Sequence, residues 1–226
     1  MIETGILFDD IHSFRDLNLV LAPFVLVPAK PKTNFIDIPG GDGSIDATEA
    51  TGEVKYNDRE FAFTFTVFPG DDLTFEERQT VVSNALNGKR CKITIEKDPD
   101  YYLEGRCTVN EYFANKNLRQ IVVNVRCAPY KMKQHETFMS FDLASTEERT
   151  IVLPNGKKRV VPTIEANCSF SISFNGYSKE YPLGMHASAP FKDLNIRLAE
   201  GTNIMTLKST NYPGGTIKFS YREGDL

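Results

Sequence analysis

The sequence has no tryptophan, and only three histidines and four cysteines among 226 residues. Without tryptophan, the large aromatic faces on which sugar rings usually stack are scarce. His12, His135 and His186 form no HxxxH or HExxH pair, and Cys91, Cys107, Cys127 and Cys168 form no CxxC, so the spacings of a zinc site are missing. Each cysteine falls in an alternating apolar segment and is read as a buried thiol acting as a small hydrophobe. No apolar run reaches the length of a membrane span, and Met1-Ile-Glu-Thr-Gly5 has neither the basic nor the apolar part of a signal peptide. The expectation is a chain made and kept, at least at first, in a cytosol, with no membrane partner. Ser188 and the other serines sit in no GxSxG elbow, and Gly40-Gly-Asp-Gly43 has neither the lysine nor the helix of a phosphate loop. Asp42 and Asp46 do not lay out the oxygen ligands of a calcium loop. Glycosidase carboxylates are paired in space rather than in sequence, so the sequence is silent on them. The expectation is no enzyme, no cofactor and no metal.

Charge is also unremarkable in total, at −4, but unevenly divided. Residues 1–131 carry 15 Lys+Arg against 20 Asp+Glu, and residues 132–226 carry 11 against 10. Neither half offers the cationic surplus that binds phosphates, which argues against specific nucleic-acid binding.

What the sequence does have is strands. The stretch Pro28-Ala-Lys-Pro31-Lys-Thr33 has two positions without a backbone donor and reads as an extended arm. Asn34–Ile38 and Ser44–Asp46 read as strands joined through Pro39-Gly-Gly-Asp-Gly43, whose glycines suit a tight reversal. Asn57-Asp58 reads as a two-residue turn, and Phe61, Phe63, Phe65 and Val67 as the core face of the strand after it. Pro69-Gly70-Asp71-Asp72 breaks that strand. Thr74 with Glu77 forms a capping-box pattern opening a helix over about 74–87, with Phe75, Val82, Ala85 and Leu86 on one face and Gly88 as C-cap. Long strands follow at 101–113 and 118–130, turning at Asn115-Lys-Asn117, with a bulge expected at Gly105.

Alternation lapses over Ala128–His135, which marks a domain boundary. Beyond it, Leu153-Pro-Asn-Gly-Lys157 reads as a hairpin turn and Thr163–Phe174 as one strand. Asn175-Gly176 is a strong hairpin signal, and Leu194, Ile196 and Leu198 alternate as a further strand. The fold class is therefore mainly β, with two β-sandwich-like domains: 1–131, with one helix and an extended arm, and 132–226. The arm Ala29, Lys30, Pro31, Lys32 and Thr33 cannot fold back as helix and is the candidate oligomer interface. The paired strands 101–113 and 118–130 are expected to offer an unpaired edge to a neighbour.

In order along the chain, Gly5-Ile-Leu-Phe8, Pro39-Gly-Gly-Asp-Gly43-Ser-Ile-Asp46, Val54–Val67 with Arg59, the helix and the paired strands resemble the distal tail protein family of long, non-contractile-tailed phages. In the second half, Leu194-x-Ile196-x-Leu198-x-x-Gly201-x-Asn203 and Ile217-x-Phe219-x-Tyr221 are similar to that family's galectin-like, or carbohydrate-module-like, sandwich. The resemblance implies a hexameric ring, closed through the first domain, that serves as hub between tail tube and tail tip in the virion. It implies as partners the tail tube protein and the tail-associated lysin or fibre hub, with receptor-binding and tape measure proteins as further neighbours. The chain has no room for the long inserted carbohydrate-binding modules some members carry. The alternative reading is a glycan-binding sandwich in which Tyr177, Tyr181 and Tyr212 replace the missing tryptophan.

Overall fold

The computed structural model describes residues 5–67, 73–110, 119–143, 147–183, 189–210 and 214–226. The turns expected at 68–72 and 115–117, the strand ends 111–113, and Tyr212, His186 and Ser188 lie outside them. The chain is mainly β, with one helix among the described residues. It divides into two compact units, Met1–Lys131 with Leu226, and Met132–Asp225.

The first unit opens with β1 (Ile6–Phe8), β2 (Ile11–His12) and β3 (Leu19–Leu21), followed by a small hairpin of β4 (Phe35–Asp37) and β5 (Ser44–Asp46). Next come β6 (Arg59–Val67), α1 (Phe75–Leu86), β7 (Arg90–Ile95), β8 (Tyr101–Val109) and β9 (Gln120–Cys127). The main sheet runs β2-β1-β7-β8-β9-β6-β3, all neighbours antiparallel. Strand β6 places Arg59, Phe61, Phe63, Phe65 and Val67 on its buried face and Glu60, Ala62 and Thr66 outside, as period-two alternation requires. The phenylalanines meet edge to face, Phe61 against Phe63 at 5.2 Å and Phe8 against Phe63 at 6.3 Å.

Thr74 caps α1 as its sequence announces: its hydroxyl accepts from the Glu77 N–H while the Glu77 carboxylate accepts from the Thr74 N–H. Val82 and Leu86 then bury against the sheet core, and Gly88 takes the positive φ of 75° that ends the helix.

Gly105 departs from expectation. It pairs in regular register with both Cys91 and Cys127, so there is no bulge. The glycine is needed for close approach instead, because a Cβ there would lie 2.5 Å from the Cys127 sulfur and 2.7 Å from the Arg126 carbonyl oxygen. Asn57-Asp58 is not a hairpin turn either. Tyr56 bridges Pro31, so the residues before β6 pair with the arm rather than folding back on β6.

β10 (Lys131–Lys133) straddles the division, and the second unit goes on with β11 (Thr137–Leu143), β12 (Glu148–Asn155), β13 (Thr163–Ala166), β14 (Phe170–Phe174) and β15 (Tyr177–Tyr181). It continues with β16 (Phe191–Lys192), β17 (Gly201–Ser209), β18 (Gly215–Tyr221) and β19 (Gly224–Asp225). Two four-stranded sheets, β11-β18-β13-β16 and β12-β17-β14-β15, sandwich a core that includes Leu153, Ile164, Phe170, Ile172, Leu207, Ile217 and Phe219. The expected single strand Thr163–Phe174 is two. It leaves one sheet at Asn167-Cys168 and enters the other, with the Asn167 side chain accepting from the Thr216 N–H at 2.7 Å.

Leu153-Pro-Asn155 is strand rather than turn: β12 is an edge strand, where Pro154 needs no partner for its missing N–H. Asn175 and Gly176, with φ of 49° and 80°, make the expected hairpin between β14 and β15. Residues 193–198 form no strand. Asp193 starts a turn by accepting from the Asn195 N–H, leaving Leu194 exposed while Ile196 and Leu198 point inward.

Replacing Gly105 with alanine should lower stability by about 3 kcal/mol, because the new methyl meets backbone as well as sulfur. Equilibrium urea denaturation of the variant checks this; an unchanged midpoint would contradict it.

Candidate assembly interface

The arm leaves the first unit along a track of its own. The Asn57 N–H donates to the Lys30 carbonyl at 2.8 Å, and the Lys32 N–H donates to the Lys55 carbonyl at 2.7 Å, with Pro31 bridged to Tyr56 between them. Of the five candidate residues, Ala29 is half-buried and Lys30, Pro31, Lys32 and Thr33 are exposed. Their backbone is thus tethered while their side chains face water.

Beyond Thr33 the chain forms the β4–β5 hairpin, paired Phe35 to Asp46, Ile36 to Ile45 and Asp37 to Ser44. Its ends are closed by the Asn34 N–H on the Thr48 hydroxyl and the Thr48 N–H on Asp46. Gly40 and Gly43, at φ of 74° and 78°, form its tip. The hairpin belongs to no other sheet, and every residue from 31 to 46 is exposed. Phe35 and Ile45 are each 57% exposed and Ile36 52%. Two short strands with apolar side chains on open faces are marginal by themselves in water. Such a patch marks an interaction surface.

The long strands expected to present a free edge do not. β8 lies between β7 and β9, and β9 between β8 and β6, so neither is an edge strand; the ends of the sheet path are β2 and β3, and residues 111–118 of the expected pair lie outside the described residues. Sequence alternation marks a strand but not its rank in a sheet, and so the exposed hairpin, not a sheet edge, is the feature that reaches outward.

The remaining candidates of the sequence are structural. His12 is buried, its Nδ1 accepting from the Phe14 and Arg15 N–H groups at 3.1 Å, which leaves Nε2 to donate to Glu96 at 2.8 Å. The Gly5 N–H and then His12 hold the Glu96 carboxyl below its ordinary range. The four cysteines are free and buried, and burial pushes the Cys127 thiol up to about 12. Among the described residues no group of three or more His, Cys, Asp or Glu could hold a metal. No helix among them is long and apolar enough to cross a membrane. Lys157, from the basic cluster at Lys157–Arg159, pairs with Glu200 at 2.6 Å.

In the second unit, two of the three tyrosines named for sugar stacking lie among the described residues, and their hydroxyls share one partner. The Tyr181 ring is buried, stacked on Phe170 at 5.1 Å, and its hydroxyl donates to Asp193 at 2.7 Å. The Tyr177 hydroxyl donates to the same carboxylate oxygen at 2.8 Å. Burial raises the Asp193 pKa, but the bonds from Tyr181, Asn195 and Tyr177 outweigh it and hold the carboxyl well below its usual range. Tyr181 moves the opposite way, raised first by burial and then by Asp193. Asn203, from the motif that carried the family resemblance, clamps a turn: its amide donates to the Ala199 carbonyl and accepts from the Ala199 N–H.

No protein-family model matches the chain, and neither does any curated protein. Its architecture is nevertheless that of a solved phage hub protein. The match is to the crystal structure of SPP1 Dit (gp 19.1), described as a paradigm of the hub adsorption apparatus of phages that infect Gram-positive bacteria. The TM-score is 0.64 over 97% of this chain and 98% of that one, at 15% identity. At this identity the likeness establishes a shared fold.

Because the folded Asp193 pKa is depressed, its contribution is complete above the ordinary carboxylate pKa and is lost as pH falls below it. Thermal melts of the wild type and Asp193→Asn should therefore differ most near neutrality and converge in acid. A stability gap that does not change with pH would contradict this role.

Proposed function

We propose that the chain is a structural hub of a phage tail tip, assembling as a hexameric ring through its first unit and joining the tail tube to the host-adsorption apparatus in the virion. The observation that carries this reading is the fold shared end to end with SPP1 Dit, through both units rather than one. The exposed hairpin and arm supply what a ring needs: a surface on one copy that a different surface of the next copy receives, repeated around an axis until it closes. The second unit, a galectin-like sandwich in this reading, is left to face partners. These include the tail-associated lysin or fibre hub on one side and the tail tube protein on the other, with receptor-binding and tape measure proteins as further neighbours. The role is structural rather than enzymatic. Against the glycan-binding alternative, the Tyr181 ring is buried and stacked on Phe170, which takes one of its three candidate platforms.

Native mass spectrometry tests the ring. Six copies of the 25.4 kDa chain should appear as one species of about 152 kDa. Replacing Phe35 and Ile36 with serine should return it to monomer with little change in melting temperature, since both side chains are exposed in the single chain. A variant that still closes into hexamers would remove the hairpin from the interface.

A further inference from the structure

The first unit holds a buried arginine whose Nε finds no partner among the described residues. Arg59 opens β6 on the same face as Phe61 and Phe63 and is 7% exposed, and its Nε has no hydrogen-bond partner. Among the described residues no carboxylate pairs with it. Burial lowers its pKa, the expected response of an uncompensated cation. Buried charges are normally paired, and an exception calls for an explanation.

Arg59 lines two cavities. One, of about 200 Å³, is walled by Leu26, Val27 and Pro28 at the base of the arm, facing Tyr102, Leu103 and Leu226, with Asp98 and Lys131 also in its wall. The other, of about 610 Å³, is lined by Lys30, Lys32 and Asn57 and by Asp58, Glu60 and Arg126, whose charges meet one another, Arg126 lying 3.0 Å from Asp58 and 3.7 Å from Glu60. The neighbouring cations are taken: Arg126 pairs with Asp58 at 3.0 Å and Lys131 with Asp98 at 2.8 Å. Lys30 and Lys32, two residues apart on an extended backbone, share a side and have no carboxylate among the described residues. The fitting ligand is therefore anionic, with apolar groups beside its charge.

The hairpin has that chemistry. Asp37, Asp42 and Asp46 alternate along it with the exposed Phe35, Ile36, Ile38 and Ile45. Because it stands in solvent in its own chain, it must find a receiving surface on another. We propose that Arg59, with Lys30 and Lys32, forms a carboxylate-receiving pocket into which the acidic, apolar hairpin of a second copy docks. This site rests on the ring reading and deepens it. The arm then serves twice, its base receiving one neighbour while its tip reaches the other.

Two variants of the full chain separate the halves of this contact. Arg59→Met removes the pocket's buried charge, leaving Lys30 and Lys32 at its rim, and keeps the hairpin. The triple change Asp37→Asn, Asp42→Asn and Asp46→Asn removes the hairpin's charge and keeps the pocket. Neither should form rings alone. Mixed, they should give a one-to-one dimer, since only one sound tip and one sound pocket remain. Melting temperatures keep the result interpretable: Arg59→Met should melt no lower than the triple variant, which also forms no ring, because it removes a buried charge whose Nε is unpaired.

Rings of Arg59→Met as stable as those of the wild type would overturn the site while leaving the ring reading intact. If the wild type forms no ring, that reading fails, and a synthetic peptide of residues 33–48 decides the site alone. Binding to the wild type that weakens by about 30-fold or more in Arg59→Met supports it. Equal binding to both, no binding, or binding of inorganic phosphate but not the peptide overturns it.

Discussion

The edge-to-face packing of phenylalanines on β6 is the interaction on which the first unit depends. Phe61 and Phe63 share one face, with Phe24 meeting Phe63 at 5.2 Å from the segment leading into the arm. Those contacts fix where the arm departs. They also explain why a charged residue can sit at the start of the same face. The stripe ends at Arg59, where the core thins into cavities, and its period-two alternation carries the guanidinium inward with the rings. Core and candidate interface are in this sense one strand read from its two ends.

The second unit uses polar groups for a comparable purpose. Asp193 gathers two tyrosine hydroxyls and the Asn195 amide, and Asn203 and Asn155 both donate to the Ala199 carbonyl. Each replaces a stretch of regular pairing with side chain to backbone or side chain to side chain bonds, so the connections between strands are as determined as the strands themselves. The same groups bear on sugar recognition, because the Tyr181 ring is buried in the core and offers no open face.

Local signals were legible in the sequence where their physical cause is local. The capping box at Thr74, the positive-φ glycine at Gly88, the Asn175-Gly176 turn and the aromatic face of β6 are all decided within a few residues. What failed depended on partners distant in sequence. Gly105 looks like a bulge until Cys127 is seen against it. Pro154 looks like a turn until β12 is known to be an edge, and β8 looks available until strands flank it on both sides. In the candidate interface, the arm could be read from its prolines. The isolation of the hairpin and the missing partner of Arg59 could not, since both are statements about what is not nearby.

One consequence follows from the strand that changes sheets. β13 and β14 are separated by a few residues at Asn167-Cys168, yet one belongs to each layer of the sandwich. The two layers are therefore joined by a short length of covalent chain as well as pressed together by their core. A tensile load that tries to slide one layer across the other is met first by backbone that cannot lengthen, and only afterwards by side-chain contacts that can slip. The second unit is built to bear shear.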